Sequence, residues 1–207
     1  MAAASLCLVA AACAGFSQLH GVMLHPQRYA VRPAASRIQM LSAQEAIETG
    51  VSLTTFAPQP FWVLLIAAPR ADVTRKIMGT PLPILALSLV HFAVVLLAAT
   101  REDGTAPIMI FADVFDPAQS QLAGMQRLFE VPNFVAEEWP HVLIWDLFVG
   151  RAIWIDGLAR GVPTAPSVLL TNLIGPPGLL LHVLISVATG KGLPTMGSPP
   201  PADEAEA

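Results

Sequence analysis

Apolar positions along the chain gather into four long blocks, separated by polar stretches and marked at their ends by helix-stopping residues. The first runs from Glu45 to Ala68, and its second half, Phe61-Trp-Val-Leu-Leu-Ile-Ala-Ala68, is fully apolar. Pro58 and Pro60 each remove a helix donor, so a kink or break is expected between the halves. The second block, Leu82 to Ala99, is the cleanest, with His91 as its single ionisable residue. The third runs from Trp139 to Gly157, and the fourth from Ser167 to Ala188 with Gly175-Pro-Pro-Gly178 inside it. A bilayer core needs about 20 apolar helical residues. The pattern therefore predicts an all-α membrane protein with four transmembrane helices. Between the second and third blocks, Pro117 to Glu130 places Leu122, Met125, Leu128 and Phe129 at the spacing of a short amphipathic helix.

The third block is the one whose polar residues need explaining. His141, Asp146, Arg151 and Asp156 interrupt an otherwise apolar helix. Ionisable groups cost several kcal/mol at the bilayer centre, and persist where protein or water surrounds them. On a helical wheel His141, Trp145 and Asp156 lie to one side, Asp146 and Trp139 on an adjacent face, and Arg151 away from both. Polar groups on several faces imply a helix surrounded by other helices or bordered by a cavity. Pro140 is expected at an early position of this helix and Glu137 and Glu138 in or before its first turn, with Gly157 and Gly161 as stops. The Gly-Pro-Pro-Gly break in the fourth block is the second functional pointer, because freed backbone groups at membrane depth need protein or water partners.

Composition agrees with the membrane reading. The 207 residues are 54% hydrophobic and 13% charged, with a mean hydropathy of +0.60. Soluble domains are about a quarter charged. No basic patch points to nucleic acid. The two cysteines, Cys7 and Cys13, lie near the N-terminus. Residues 1–15 form a short apolar run ending in small residues, followed by Phe16 and an acid-free stretch containing Arg28, Arg32 and Arg37. A signal-like run and then a transit-like segment resemble the bipartite leaders of multiply enveloped plastids. With residues 1–40 removed, the net charge goes from −4 to −4 − 3 = −7, and no cysteine remains for disulfide or thiolate chemistry. Residues 41–190 then form the membrane domain. Residues 191–207, rich in Gly, Pro and acid, read as a disordered tail.

Loop charges give an orientation. Arg70, Arg75 and Lys76 against Asp72 make the first loop net +2, and Arg160 follows the third block. The long loop, 100–138, carries two Arg against seven acids, net −5. The positive-inside rule puts the two short loops on the stroma-like side, and both termini with the long loop on the other.

Each polar residue has two readings. Asp156 and Arg160 are four apart and suit a structural pair. Asp146 sits near mid-helix, where a carboxyl group kept neutral in an apolar pocket is a usable general acid. The same group is equally an interhelical lock, bonded to Thr171, Asn172 or an Arg. His141 is a possible general base or chlorophyll-magnesium ligand, or a plain interfacial hydrogen-bonder. His91 and His182 each stand alone in apolar helices, a setting that more often means a bond to another helix than a pigment ligand. Trp62, Trp139, Trp145, Trp154 and Phe148 could line a flat lipophilic pocket, or belong to an aromatic belt and core. There is no His-x-x-x-His pair, so a protein-held metal has little support, and no phosphate loop, dinucleotide fingerprint or nucleophile elbow is present.

Three segments together resemble the ABA-deficient-four-like, or neoxanthin-synthase-like, family of plastid membrane proteins. They are Pro60-Phe-Trp-Val-Leu-Leu-Ile-Ala-Ala-Pro-Arg-Ala-Asp-Val-Thr74, then Trp139-x-His-x-x-x-x-Asp-Leu-Phe-x-x-Arg-x-x-x-x-Asp-Gly157, then Gly175-Pro-Pro-Gly-Leu-Leu-Leu-His182. The resemblance covers roughly residues 45–190. It implies a thylakoid or inner-envelope protein tied to xanthophyll metabolism, needed in plants for conversion of violaxanthin to neoxanthin. That isomerisation opens an epoxide and forms an allene without an obligatory redox cofactor. It requires an acid at the epoxide oxygen and a base at a polyene carbon. On this reading Asp146, His141 and Arg151 are the catalytic candidates. Trp139, Trp145, Phe148, Asn172 and His182 are substrate-binding candidates. Asp156 and Arg160 are structural. The implied partners are the bilayer and a lipophilic carotenoid. The alternatives are a non-catalytic subunit of a photosynthetic complex that binds carotenoid or chlorophyll, and a small transporter or scaffold.

Overall fold

The computed structural model describes residues 34–101 and 104–195, with side chains from residue 43 onward. Most of the leader, with Cys7 and Cys13, and the acidic end of the tail therefore lie outside the described residues. The chain divides into two units at Arg37, and the architecture below is that of the second. Every regular element among the described residues is an α-helix.

Helix α1 (Ala34–Phe56) is followed after a two-residue turn by α2 (Gln59–Ala67). The expected break falls where Pro58 and Pro60 stand. The short α3 (Asp72–Met78) folds back onto the end of α2, where the Thr74 hydroxyl donates to the Ala68 carbonyl at 2.7 Å. Helix α4 (Leu82–Ala99) has the bounds its hydropathy predicts. The long loop contains two helices, α5 (Ala106–Val114) and α6 (Gln121–Phe129). The second corresponds to the expected amphipathic element, opened by Ser120, whose hydroxyl accepts from the Ala123 amide.

Helix α7 (Pro132–Arg160) is longer than expected. It starts at Pro132, which suits a first helical position. Pro140 is therefore inside the helix, and Glu137 and Glu138 fall beyond the first turn. The helix runs through Gly157 and stops at Gly161, whose φ of 68° is the left-handed conformation of a helix C-cap.

The fourth apolar block is not one continuous helix, and the break falls at the expected Gly175-Pro-Pro-Gly178. It forms α8 (Ala165–Ile174) and α9 (Pro176–Ala188), joined at Gly175. Gly175 has φ 68° and ψ −118°, a conformation that reverses the chain. The two helices lie so close that a Cβ on Gly178 would stand 2.4 Å from the Thr171 amide nitrogen and 2.5 Å from the Ser167 carbonyl oxygen. Residues eleven apart in one straight helix would be ~16 Å apart. Here they touch, so α8 and α9 are antiparallel.

Two helical segments are long and apolar enough to cross a membrane, Ala43–Ala67 and Leu82–Ala99. Only 22% of each apolar window is buried, unlike the core helix of a soluble protein. On α4, Leu82, Leu85, Leu89, Phe92 and Leu96 point outward. The main core joins α2, α3, α4, α7 and α8 through Trp62, Leu65, Met78, Leu87, Leu147, Ile153, Trp154 and Val168.

Candidate functional site

Asp146 lies on α7 beside the tip of the α8–α9 hairpin. A Cβ on Gly175 would sit 3.0 Å from its Oδ1. The carboxyl group is half-buried, and none of the described residues bonds to it. The candidate lock partners are occupied or elsewhere: Thr171 donates to the Ser167 carbonyl at 2.9 Å, and Asn172 is half-buried on α8. The N-terminus of α9 begins at Gly175, so the partial positive end of that helix lies next to the carboxyl group.

One stripe of α7 shows where the hairpin ends. Val135, Trp139 and Val142 are 39%, 41% and 40% exposed. Further along the same face, Asp146 is half-buried and Gly150, Ile153 and Gly157 are buried. Beyond the tip, an open groove of about 530 Å³ runs between α1 and α7, lined by Val51, Phe56, Val135 and Trp139 with Glu48 and Asn133 among its polar lining. Trp139 donates from Nε1 to the Thr55 hydroxyl at 3.0 Å, which fixes one edge of the groove.

His141 is not brought to Asp146. It pairs with Glu138 at 3.3 Å, and its ring stacks on His91 at 6.1 Å. Trp145 and Phe148 continue an outward-facing ladder, with ring centroids 6.4 Å and 5.5 Å apart along it. His91 donates from Nε2 to the Glu137 carbonyl at 3.0 Å, tying α4 to α7. Arg151 also lies apart. Its Nε and Nη2 donate to the carbonyls of Met78 and Gly79 at 2.7 and 2.9 Å, satisfying oxygens left over at the end of α3.

A second polar centre sits at the far end of the hairpin. Asp156 accepts from Arg160 Nε at 2.9 Å, from Arg160 Nη2, and from His182 Nε2 at 2.8 Å. Its other oxygen accepts from the Thr195 amide and hydroxyl at 3.1 and 3.2 Å. Arg160 also donates to the Ser186 hydroxyl at 2.9 Å and the Lys191 carbonyl at 3.1 Å. His182 is fully buried. Expected as a substrate contact, it is instead bonded to the pair formed by Asp156 and Arg160. Sequence reasoning missed Ser186, Lys191 and Thr195. The available signal was spacing: His182 and Ser186 are four apart on α9, matching Asp156 and Arg160 on α7. No group of three or more His, Cys, Asp or Glu able to hold a metal occurs among the described residues.

The family profile described as ABA DEFICIENT 4-like matches residues 51–182. That range takes in the polar helix, the hairpin tip and His182. The chain belongs to the ABA DEFICIENT 4-like family. A member from Arabidopsis thaliana, named "Protein ABA DEFICIENT 4, chloroplastic", is 29% identical over 146 residues, covering 70% of this chain and 64% of that protein. The match thus spans less than two thirds of that relative's length. No solved structure matches.

Proposed function

We propose that this ABA DEFICIENT 4-like chain works in xanthophyll biosynthesis as a multi-pass plastid membrane protein. Its place is the conversion of an epoxy-xanthophyll to an allenic one, of the violaxanthin-to-neoxanthin type. The chloroplastic relative supports the compartment. The outward apolar faces support the membrane, because exposed Leu and Phe rows on α4 are stable against lipid and not against water.

The observation that carries the chemistry is Asp146. It is a carboxyl group without a bonding partner among the described residues, at a helix break, next to an apolar, partly exposed stripe. In this reading the protonated carboxyl gives its proton to the epoxide oxygen as the ring opens. The carboxylate then takes the proton lost from the polyene carbon as the allene forms. Protons balance, and no electron acceptor enters. Trp139 and Val142 would hold the neighbouring hydrocarbon. His141 and Arg151, facing other partners, take no direct part.

A second reading is favoured by the ladder His141–Trp145–Phe148 with His91 at its edge. An outward aromatic face of this kind suits a bound carotenoid or chlorophyll in a non-catalytic subunit of a photosynthetic complex. A pigment profile of a strain lacking the protein separates the two. Loss of one allenic carotenoid with intact photosystems supports the first. Unchanged pigments with a destabilised complex refute it in favour of the second.

A further inference from the structure

The α8–α9 hairpin decides how often the chain crosses the membrane. Its contacts with α7 fix its direction. The Asp156–His182 and Arg160–Ser186 bonds pair α7 with α9 at a constant offset of 26, so these two helices are parallel. Gly175 lies back along α7 at Asp146, and the start of α8 lies at Gly157, where a Cβ would meet Thr164. Helix α8 therefore begins at the C-terminal end of α7, runs back beside it to Asp146, and α9 returns to the same end. Lys191 and Thr195 reach that end too, bonded to Arg160 and Asp156.

Neither helix is long enough to span. At ~1.5 Å per residue, the ten residues of α8 cover about 15 Å and the thirteen of α9 about 20 Å, against about 30 Å of hydrocarbon. The tip is suited to membrane depth. Pro176 and Pro177 occupy the first two positions of α9 and have no N–H to leave unsatisfied. The Gly175 carbonyl accepts from the Gly178 amide at 3.0 Å, and the Gly175 amide donates to Thr171. The hairpin is polar inside and apolar outside. Ser167, Thr171, His182 and Ser186 are fully buried, while Leu180, Leu184 and Val187 are exposed.

We infer that Ala165–Ala188 is a re-entrant hairpin, entering from the side of the basic loops, turning beside Asp146 and leaving by the same side. This rests on the membrane reading above. The chain then crosses three times, through 43–67, Leu82–Ala99 and α7. Lys191–Thr195 emerges with Arg70, Arg75 and Lys76, and the acidic long loop lies opposite. Under this inference the C-terminal end lies opposite the long loop, whereas the loop charges alone predict the same side. Asp146 comes to lie about 21 Å along α7 from Arg160, near the middle of the membrane. The leaflet opposite the basic loops has no hairpin over the Val135–Trp139–Val142 stripe, so a lipophilic ligand reaches Asp146 laterally from that leaflet.

The test is cysteine accessibility in sealed vesicles, using the full chain with Cys7 and Cys13 changed to Ser. Single cysteines go in at exposed positions as Lys76→Cys, Ala118→Cys and Leu193→Cys. A membrane-impermeant maleimide is added before and after permeabilisation. The expected result is that Leu193→Cys and Lys76→Cys share one labelling pattern, and Ala118→Cys shows the opposite one. Leu193→Cys sharing the pattern of Ala118→Cys would overturn the hairpin and restore four crossings, leaving the membrane reading intact. All three labelling before permeabilisation would remove the membrane reading, and the hairpin inference with it.

Discussion

Replacing Asp156 with Ala should be among the most costly single changes in the second polar centre. Its side chain is 2% exposed and that of its partner Arg160 is 16% exposed. The carboxylate receives bonds from Arg160, His182 and Thr195. Losing it orphans the fully buried His182 Nε2, at about 1–3 kcal/mol. It also leaves a partly buried guanidinium without its counter-charge; breaking such a pair typically costs ~3–5 kcal/mol in all. The α9 end and Lys191–Thr195 should loosen together, because both are tied to this one group. The assay is reversible unfolding in mixed micelles followed by tryptophan fluorescence, with Trp154 two residues from the change. Adding His182→Leu to Asp156→Ala should recover part of the loss, since the orphaned ring nitrogen goes with it. A destabilisation within ~0.5 kcal/mol of zero, the range of ordinary surface changes, or strict additivity of the two substitutions, would refute the idea that they act as a unit.

Other outcomes follow from the same contacts. Gly178→Leu should abolish folded protein on expression, because even its Cβ would collide with the Thr171 and Ser167 backbone; recovery of monodisperse protein would count against the hairpin packing. Arg151→Gln should cost about 1.5–3 kcal/mol through the Met78 and Gly79 carbonyls, with carotenoid conversion falling only in step with the amount of folded protein. Trp139→Phe, which keeps an aromatic side chain but loses the five-membered half of the indole with its Nε1–Thr55 bond, should cost at least about 1 kcal/mol in the same unfolding assay.

The long apolar elements were legible because lipid-length hydropathy is a local property. Helix α4 has the bounds its hydropathy predicts, and Pro58 and Pro60 mark the α1–α2 break. Gly175-Pro-Pro-Gly178 announced a break, and its local chemistry stops one helix and starts another. The direction of the second helix is set elsewhere, by Gly178 against Ser167 and Thr171 and by His182 against Asp156. Those contacts join residues on different helices, so a span with a kink and a folded hairpin look alike along the chain. The same holds at the candidate site. Asp146 stood out as a polar residue in an apolar helix, whereas the engagement of Arg151 with Met78 and Gly79 depends on where α3 folds. Helix α5 and the early start of α7 at Pro132 were missed because the long loop was judged by its charge.

The central claim is that Asp146 carries the chemistry of an epoxy-to-allenic xanthophyll conversion. Asp146→Asn, expressed in a strain lacking the protein, tests it most directly, because the change is nearly isosteric and breaks no bond to the described residues. Allenic carotenoid is measured by chromatography and normalised to the amount of membrane-inserted protein. The account predicts normal protein level with the epoxy-xanthophyll accumulating and the allenic product lost. Full conversion at normal protein level would contradict it.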